Sequence, residues 1–276
     1  MATTKPDTPV TAQAAPTSVQ TVQAGATPLA LPAGMLEALA EEAKADAAKE
    51  RPAISKISLK SGVMSYGGTP MPGNRVEAII VSSAYRNAYY AGRFDPNNIV
   101  NPNCFALAES DENMVPHENV AEPENETCKG CEKDEWGSDP NGGRGKACKQ
   151  GRRLVLIPAN ALDDGAEKVK TAELAVIDLP VTSVKNYSQF VNTLSVSAGV
   201  PAWAAVCQIS VVPDAKTQFK VLFQAMRVIP TMQLLDAVKS RRNDALRVAL
   251  QPYDETATVA GAAEAAAASG GKSKKF

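Results

Sequence analysis

An α+β fold with a mostly antiparallel sheet is what this 276-residue chain predicts, and three observations point there. Short runs rich in Val, Ile and aromatic residues, bounded by Gly, Pro or Asn, recur from residue 54 to residue 229 and read as strands. Two stretches place apolar residues at helical spacing, one after ELAVIDLP and one beyond the last strand-like run. Between the strands lies a polar, cysteine-bearing excursion. The order is then strands, insert, strand, strand, helix, hairpin, helix, the segregated order of an α+β domain. An OB-like barrel interrupted by the insert is one way to close such a sheet, with two packing helices and disordered termini.

Residues 1–51 are rich in Ala, Pro, Thr and Gln and contain no aromatic residue. They cannot bury enough apolar surface to offset the entropy of ordering, which predicts a disordered N-terminal arm. One helix is predicted within it, where Met35, Leu36 and Leu39 share a side of MLEALAEEAKADAAKER. Residues 52–254 form a single domain with an insert at 104–153. Residues 255–276 are an alanine-rich tail without an apolar stripe, again predicted disordered.

Within the domain, ISKISLK (54–60) and VEAIIVSS (76–83) read as strands around a turn-rich loop at Gly67, Gly68, Pro70, Pro72 and Gly73. The aromatic and basic run AYRNAYYAGRF (84–94) continues extended, and FDPNNIVNPNC is a loop. Leu154–Ile157 and ELAVIDLP (173–180) are further strands. Thr182 or Ser183 is placed to cap a helix bearing Val184, Tyr187, Phe190, Val191 and Leu194, which Gly199 stops. Residues 203–212 and 217–229 make a hairpin about Asp214. Thr231 caps one last helix, MQLLDAVKSRRNDALRVAL.

Charge is unevenly spread although the total is −1. Residues 109–139 hold eleven acidic side chains and two lysines, whereas 141–153 hold five basic ones and no acid. The flanking sheet segments are basic as well, so a local basic groove coexists with a near-neutral whole. No run approaches the ~18 apolar residues of a membrane span, and the N-terminus lacks the layout of a signal peptide. The expectation is a soluble protein of the intracellular compartment with no membrane partner.

Four of the five cysteines fall within 45 residues. In a reducing compartment such a cluster reads as metal-binding before disulfide. Cys128 and Cys131 form C-x2-C around Lys-Gly, a knuckle that lets two thiolates meet one ion. Cys148 follows after sixteen residues and Cys104 precedes by twenty-three. Soft thiolates favour Zn2+, with an iron–sulfur cluster as second choice. Four sulfurs at about 2.3 Å leave no position for water, so the zinc would be structural. His117 rivals Cys104 for the fourth place. Cys207, in WAAVCQISVV, reads as an inert core thiol. Trp136 reads as a cover over the metal site, base stacking being the rarer use.

Tyr85, Arg86, Tyr89, Tyr90 and Arg93 interleave aromatic rings with cations. Arg144, Lys146, Lys149 and Arg152 add a second basic segment beside Cys148. Stacking rings and phosphate-neutralising cations are the means of holding single-stranded nucleic acid. Residue 142–153 is not a phosphate-binding P-loop, because Ala147 follows Lys146 where Ser or Thr is needed.

The segments DPNNIVNPNCF (95–105), CKGC-x4-WGS (128–138), GRGKACK-x3-RL (143–154) and LPVTSVKNY (179–187) together resemble a group of tailed-bacteriophage proteins associated with replication or recombination, some of them similar to single-stranded DNA-binding proteins. The resemblance spans about 52–254 and supports Cys104, Cys128, Cys131 and Cys148 as the ligands. It assigns no base-stacking residue. It implies single-stranded DNA and phage replication or recombination proteins as partners, in the host cytoplasm, and leaves self-association open. Many single-strand binders end in an acidic tail with a terminal aromatic; here Phe276 follows the basic GGKSKK. The alternative is a protein–protein adaptor acting through the acidic insert. A non-enzyme is expected in either case, since no segment combines a base, a nucleophile and an oxyanion site.

Overall fold

The computed structural model describes residues 55–92, 100–140 and 144–253, together with Met35, Leu39 and Glu42. The chain divides into two units, residues 1–50 and 51–276. In the first, Met35, Leu39 and Glu42 are helical and exposed. The rest of the predicted arm and the predicted tail lie outside the described residues.

In the second unit nine strands follow in the order β1 (Ser55–Ser58), β2 (Ser65–Tyr66), β3 (Thr69–Pro70), β4 (Arg75–Tyr89), β5 (Cys104–Ala108), β6 (Lys149–Pro158), β7 (Ala175–Leu179), β8 (Ala205–Asp214) and β9 (Gln218–Val228). Among the described residues four α-helices accompany them: α1 (Ala166–Thr171), α2 (Val181–Ala198), α3 (Met232–Ser240) and α4 (Arg242–Ala249). The strands make one sheet in the order β3-β2-β1-β7-β6-β4-β8-β9, with β5 added on β4. All pairs are antiparallel except β1 with β7. The sheet curls into a half-barrel, so the fold is α+β and mostly antiparallel.

Strand β4 organises the sheet. The runs 76–83 and 84–94, predicted separately, join over Arg75–Tyr89 as one strand. Its first half pairs with β8 and its second half with β5, while β6 follows it along the other edge. A bulge falls between Ile80 and Ser82. It reverses the alternation: Ala78 and Ile80 belong to the core under α2, and beyond the bulge the odd residues take over that face. Ser83 there hydrogen-bonds Tyr187 of α2.

Two apolar cores result, one on each face. Ile79, Val81, Ala84, Val155, Ile157 and Val206 pack with Val169 of α1, Val238 of α3 and Ala245 of α4. Ile57, Leu154, Leu156, Ile177, Ile209 and Val221 pack under Tyr187, Phe190 and Leu194 of α2. A sheet covered on both sides explains why β6 and β7 read as continuous apolar runs and not as alternating ones.

Two helix expectations are corrected. Neither Thr182 nor Ser183 caps α2, which begins at Val181 behind Pro180. The buried Ser183 hydroxyl instead accepts the Val221 amide of β9 at 2.9 Å, tying helix to sheet. The last helix breaks at Arg241, whose guanidinium donates to the carbonyls of Lys170 and Ala172 and so fastens α1 to the break. Thr231 does cap α3, accepting from the Leu234 amide at 3.3 Å, and Gly199 ends α2 at φ 63°. Among the described residues no helix is long and apolar enough to cross a membrane.

Candidate functional site

The end of β4 is where the cysteines gather. Cys104, first residue of β5, stands opposite Tyr89. Lys149, first residue of β6, stands opposite Ala88, so Cys148 arrives on the other edge of the same strand end. The loop from β5 to β6 returns Cys128 and Cys131 between them. All four line one recess with Asn87, Tyr89, Phe105, Lys133 and Asp134. Residues up to 44 positions apart thus share one wall because two antiparallel registers place their strand ends side by side.

The C-x2-C turn has the local geometry the spacing implied. Gly130 takes φ 81°, a region that disfavours any side chain. The Cys131 amide donates to the Cys128 carbonyl at 3.4 Å, and the Asp134 amide to the Cys131 carbonyl at 2.8 Å. The Cys128 amide is held by the Met114 carbonyl (2.9 Å) and the Cys148 amide by the Lys133 carbonyl (2.7 Å). Burial raises the Cys128 thiol, opposed by a hydrogen bond from Asn87. Burial also raises Cys104 and pushes Cys148 up to about 12, where nearby Asp134 adds to the effect.

Do these residues fit a zinc ion? Among the described residues of 109–148, Met114 and Ala147 alone are buried hydrophobic side chains. A polar excursion of that length has no apolar core to hold it, so a cross-link at its base suits it physically. The donor set is four soft sulfurs on one recess, which matches structural zinc. Among the described residues no three His, Cys, Asp or Glu side chains stand grouped as a formed metal centre. Sharing a recess wall is a looser condition than coordination, and the two observations are compatible.

His117 stays apart. Its ring stacks on Phe105 with centroids 5.0 Å apart, and its Nδ1 accepts the Asn119 amide at 3.1 Å. It does not line the recess, whereas Cys104 does. Cys207 lies in the core with its thiol donating to the Ala78 carbonyl at 3.4 Å, and burial pushes it up to about 12.

The basic and aromatic residues divide by face. Tyr85, Asn87 and Tyr89 alternate onto the α2 side of β4. Arg152, opposite Tyr85 in register, lays its guanidinium over the Tyr85 ring at 3.1 Å. Lys133 from the insert sits over Tyr89 at 5.3 Å. Arg86 points the other way and is consumed there: its guanidinium donates to the Tyr253 hydroxyl at 3.0 Å and lies 3.9 Å from Asp178. Burial works against its charge, but Tyr253 and Asp178 outweigh that and leave its pKa raised. Arg153 and Lys56 complete this cluster, each 2.9 Å from Asp178. Tyr90 and Arg144 are exposed. Lys146 pairs with Asp134 at 3.1 Å and Lys149 with Asp139 at 2.7 Å. Arg93 lies outside the described residues.

Trp136 corrects one expectation. It does not line the recess and is 80% exposed, so it covers nothing there. The turn beyond it explains why: Gly137 at φ 92° donates to the Gly145 carbonyl, and the Ser138 hydroxyl accepts the Ala147 amide, which turns the indole outward. Asn87, Lys133 and Asp134 were not singled out from the sequence. Asn87 was within reach, since it shares the two-residue alternation of Tyr85 and Tyr89. Lys133 and Asp134 were hidden among the charges of the insert.

No protein-family model, no curated protein and no solved structure matches this chain.

Proposed function

We propose that the chain is a single-stranded DNA-binding protein with a structural zinc site, serving phage DNA replication or recombination in the host cytoplasm. The observation that carries this reading is the pair of cation–aromatic contacts on one face of β4, Arg152 on Tyr85 and Lys133 on Tyr89. They lie four residues apart, about 13 Å along a strand, between helix α2 and the cysteine recess. Rings stack bases of any sequence and cations meet phosphates, so binding would be sequence-tolerant and would weaken steeply with salt. The resemblance to tailed-bacteriophage proteins at 95–105, 128–138, 143–154 and 179–187 points the same way.

In this reading Cys104, Cys128, Cys131 and Cys148 hold Zn2+, and the ion supplies a cross-link and no reaction chemistry. The curled sheet is OB-like in use, offering to the DNA strand only the end of one face between α2 and the recess, although nine strands with a parallel β1–β7 pair exceed the five-stranded OB plan. The protein is a binding module and not an enzyme.

A fluorescence-polarisation titration of the full-length protein with a labelled oligothymidylate tests the reading. Binding at low salt that falls with added salt is expected. Absence of binding at low salt by metal-replete protein overturns it.

One observation favours the adaptor reading as the second choice. Lys133, Lys146 and Lys149 each pair with an acid of the insert, namely Glu124, Asp134 and Asp139. Three of the insert's four lysines are thereby neutralised, and its remaining carboxylates present an acidic surface to a basic partner.

A further inference from the structure

Single exposed apolar side chains are ordinary, but tryptophan is enriched at binding interfaces, and Trp136 leaves its indole 80% exposed. Trp136 is not a loosely hanging side chain. Its backbone belongs to a turn whose two limbs are laced together: Gly137 and Asp139 donate to the Gly145 carbonyl at 3.0 and 3.2 Å, and the Ser138 hydroxyl donates to the Glu135 carbonyl and accepts the Ala147 amide at 2.7 and 2.9 Å. One face of the ring carries the Lys146 ammonium at 5.6 Å. That ammonium is itself held by Asp134 at 3.1 Å.

The position of this ring relative to the sheet matters more than its exposure. Lys133, which sits over Tyr89, is three residues before Trp136, so at most about 11 Å of chain separates them. Three aromatic–cation pairs therefore follow one another: Tyr85 with Arg152, Tyr89 with Lys133, and Trp136 with Lys146. The first two are on the sheet and the third is on the insert.

Resting on the single-stranded DNA reading, we infer that Trp136 is the outermost base-stacking residue of that path, extending it from the sheet onto the insert. Its contribution is stacking and not charge. Asp134, Glu135 and Asp139 lie within three residues of it in sequence, and Lys146 over its ring is already matched by Asp134. A nucleotide there gains contact with a ring and releases few counterions. Arg152, which no carboxylate neutralises in the described structure, is the opposite case.

Salt dependence separates the two roles. Polarisation titrations with oligothymidylate at several salt concentrations would compare the full-length wild type with Trp136→Ala, Trp136→Phe and Arg152→Ala. The expectation is that Trp136→Ala binds about tenfold more weakly with the wild-type salt slope, while Trp136→Phe keeps most of the affinity. Arg152→Ala should weaken binding and make the slope shallower by about one. Wild-type indole emission should be quenched by oligonucleotide, and that quenching should vanish in Trp136→Phe, since Trp203 is half-buried against the core under α3 and α4, away from the insert. Wild-type affinity in Trp136→Ala overturns this inference and leaves DNA binding standing. So does a loss of affinity accompanied by loss of bound metal, which would make the residue structural. No binding by the wild type overturns both readings.

Discussion

Asp178 holds three cations from three strands: Arg153 beside it on β6, Lys56 on β1 and Arg86 on β4. Burial works against its ionisation, yet Arg153, Arg86 and Lys56 keep its carboxyl well below the usual carboxylate range. Arg153 is only 4% exposed and also donates to the carbonyls of Ala249 and Gln251, which fastens the end of α4 to the sheet. Removing the carboxylate leaves that guanidinium buried without a counter-charge. Asp178→Asn is expected to lower stability by roughly 3 kcal/mol, read as a shift in urea midpoint. A depressed folded-state pKa also sets a pH dependence. The carboxylate's contribution is fully present above its unfolded value, near 3.9, and is lost as pH falls through and below it. Stability of the wild type should therefore drop below about pH 4, and Asp178→Asn should flatten that acid limb in urea melts taken across pH. Arg153 and Arg86 looked alike in the sequence, as two more cations in basic runs. That both serve one aspartate from 25 and 92 residues away was not legible, because ion pairing across a sheet depends on register and not on local composition.

The insert is the element with the least support of its own. Among its described residues it has two buried apolar side chains, Met114 and Ala147, a set of backbone hydrogen bonds around Ser138 and Gly145, and surface ion pairs worth little each. Strands β4, β6 and β8 by contrast lie between two apolar cores. In the proposed zinc reading, metal removal should therefore act locally. Treating the protein with a strong chelator is expected to open residues 109–148 to limited proteolysis while the far-ultraviolet circular dichroism of the sheet stays largely unchanged. Equal protease resistance with and without chelator would show that the insert holds itself together. The C-x2-C turn and its glycine were legible because their chemistry is local. Helix ends were less so: Ser183 looked like a cap but is used by the β9 backbone, and the Arg241 break answers to the carbonyls at the end of α1.

Curling of the sheet is a property of the whole molecule, and a small set of contacts carries it. The meander β1–β3 lies at one end of the strand order and β9 at the other. The turn after β1 nonetheless meets β9: a Cβ on Gly62, which has φ 76°, would stand 3.3 Å from the Phe219 Cβ. Asn74 bridges the same junction. Its carboxamide accepts from the Met64 amide and donates to the carbonyls of Gly62 (2.8 Å) and Val211 on β8 (3.1 Å). Asn74→Ala strands these partly buried backbone groups and is expected to cost about 2 kcal/mol. Hydrogen exchange should show the loss of protection concentrated at 60–74 and 211–221, not at the insert. Uniform loss across the sheet would place the closing contact elsewhere.

The α+β class, most strand positions, the two long helical regions and the Cys128–Cys131 turn were determined by the sequence alone, because composition, period and C-x2-C spacing act over a few residues, whereas the gathering of Cys104 and Cys148 beside that turn waited on the strand registers. Only the tertiary structure decided which face each residue serves. The bulge at Val81 reverses the alternation of β4, which brings Tyr85, Asn87 and Tyr89 to the side of α2 and the recess and sends Arg86 to Asp178. A one-residue insertion in a strand has no signature in hydrophobic period, yet it exchanges the two faces of everything that follows it. The exposure of Trp136 was decided in the same way, by a turn whose hydrogen bonds join residues 137 and 145 across the insert.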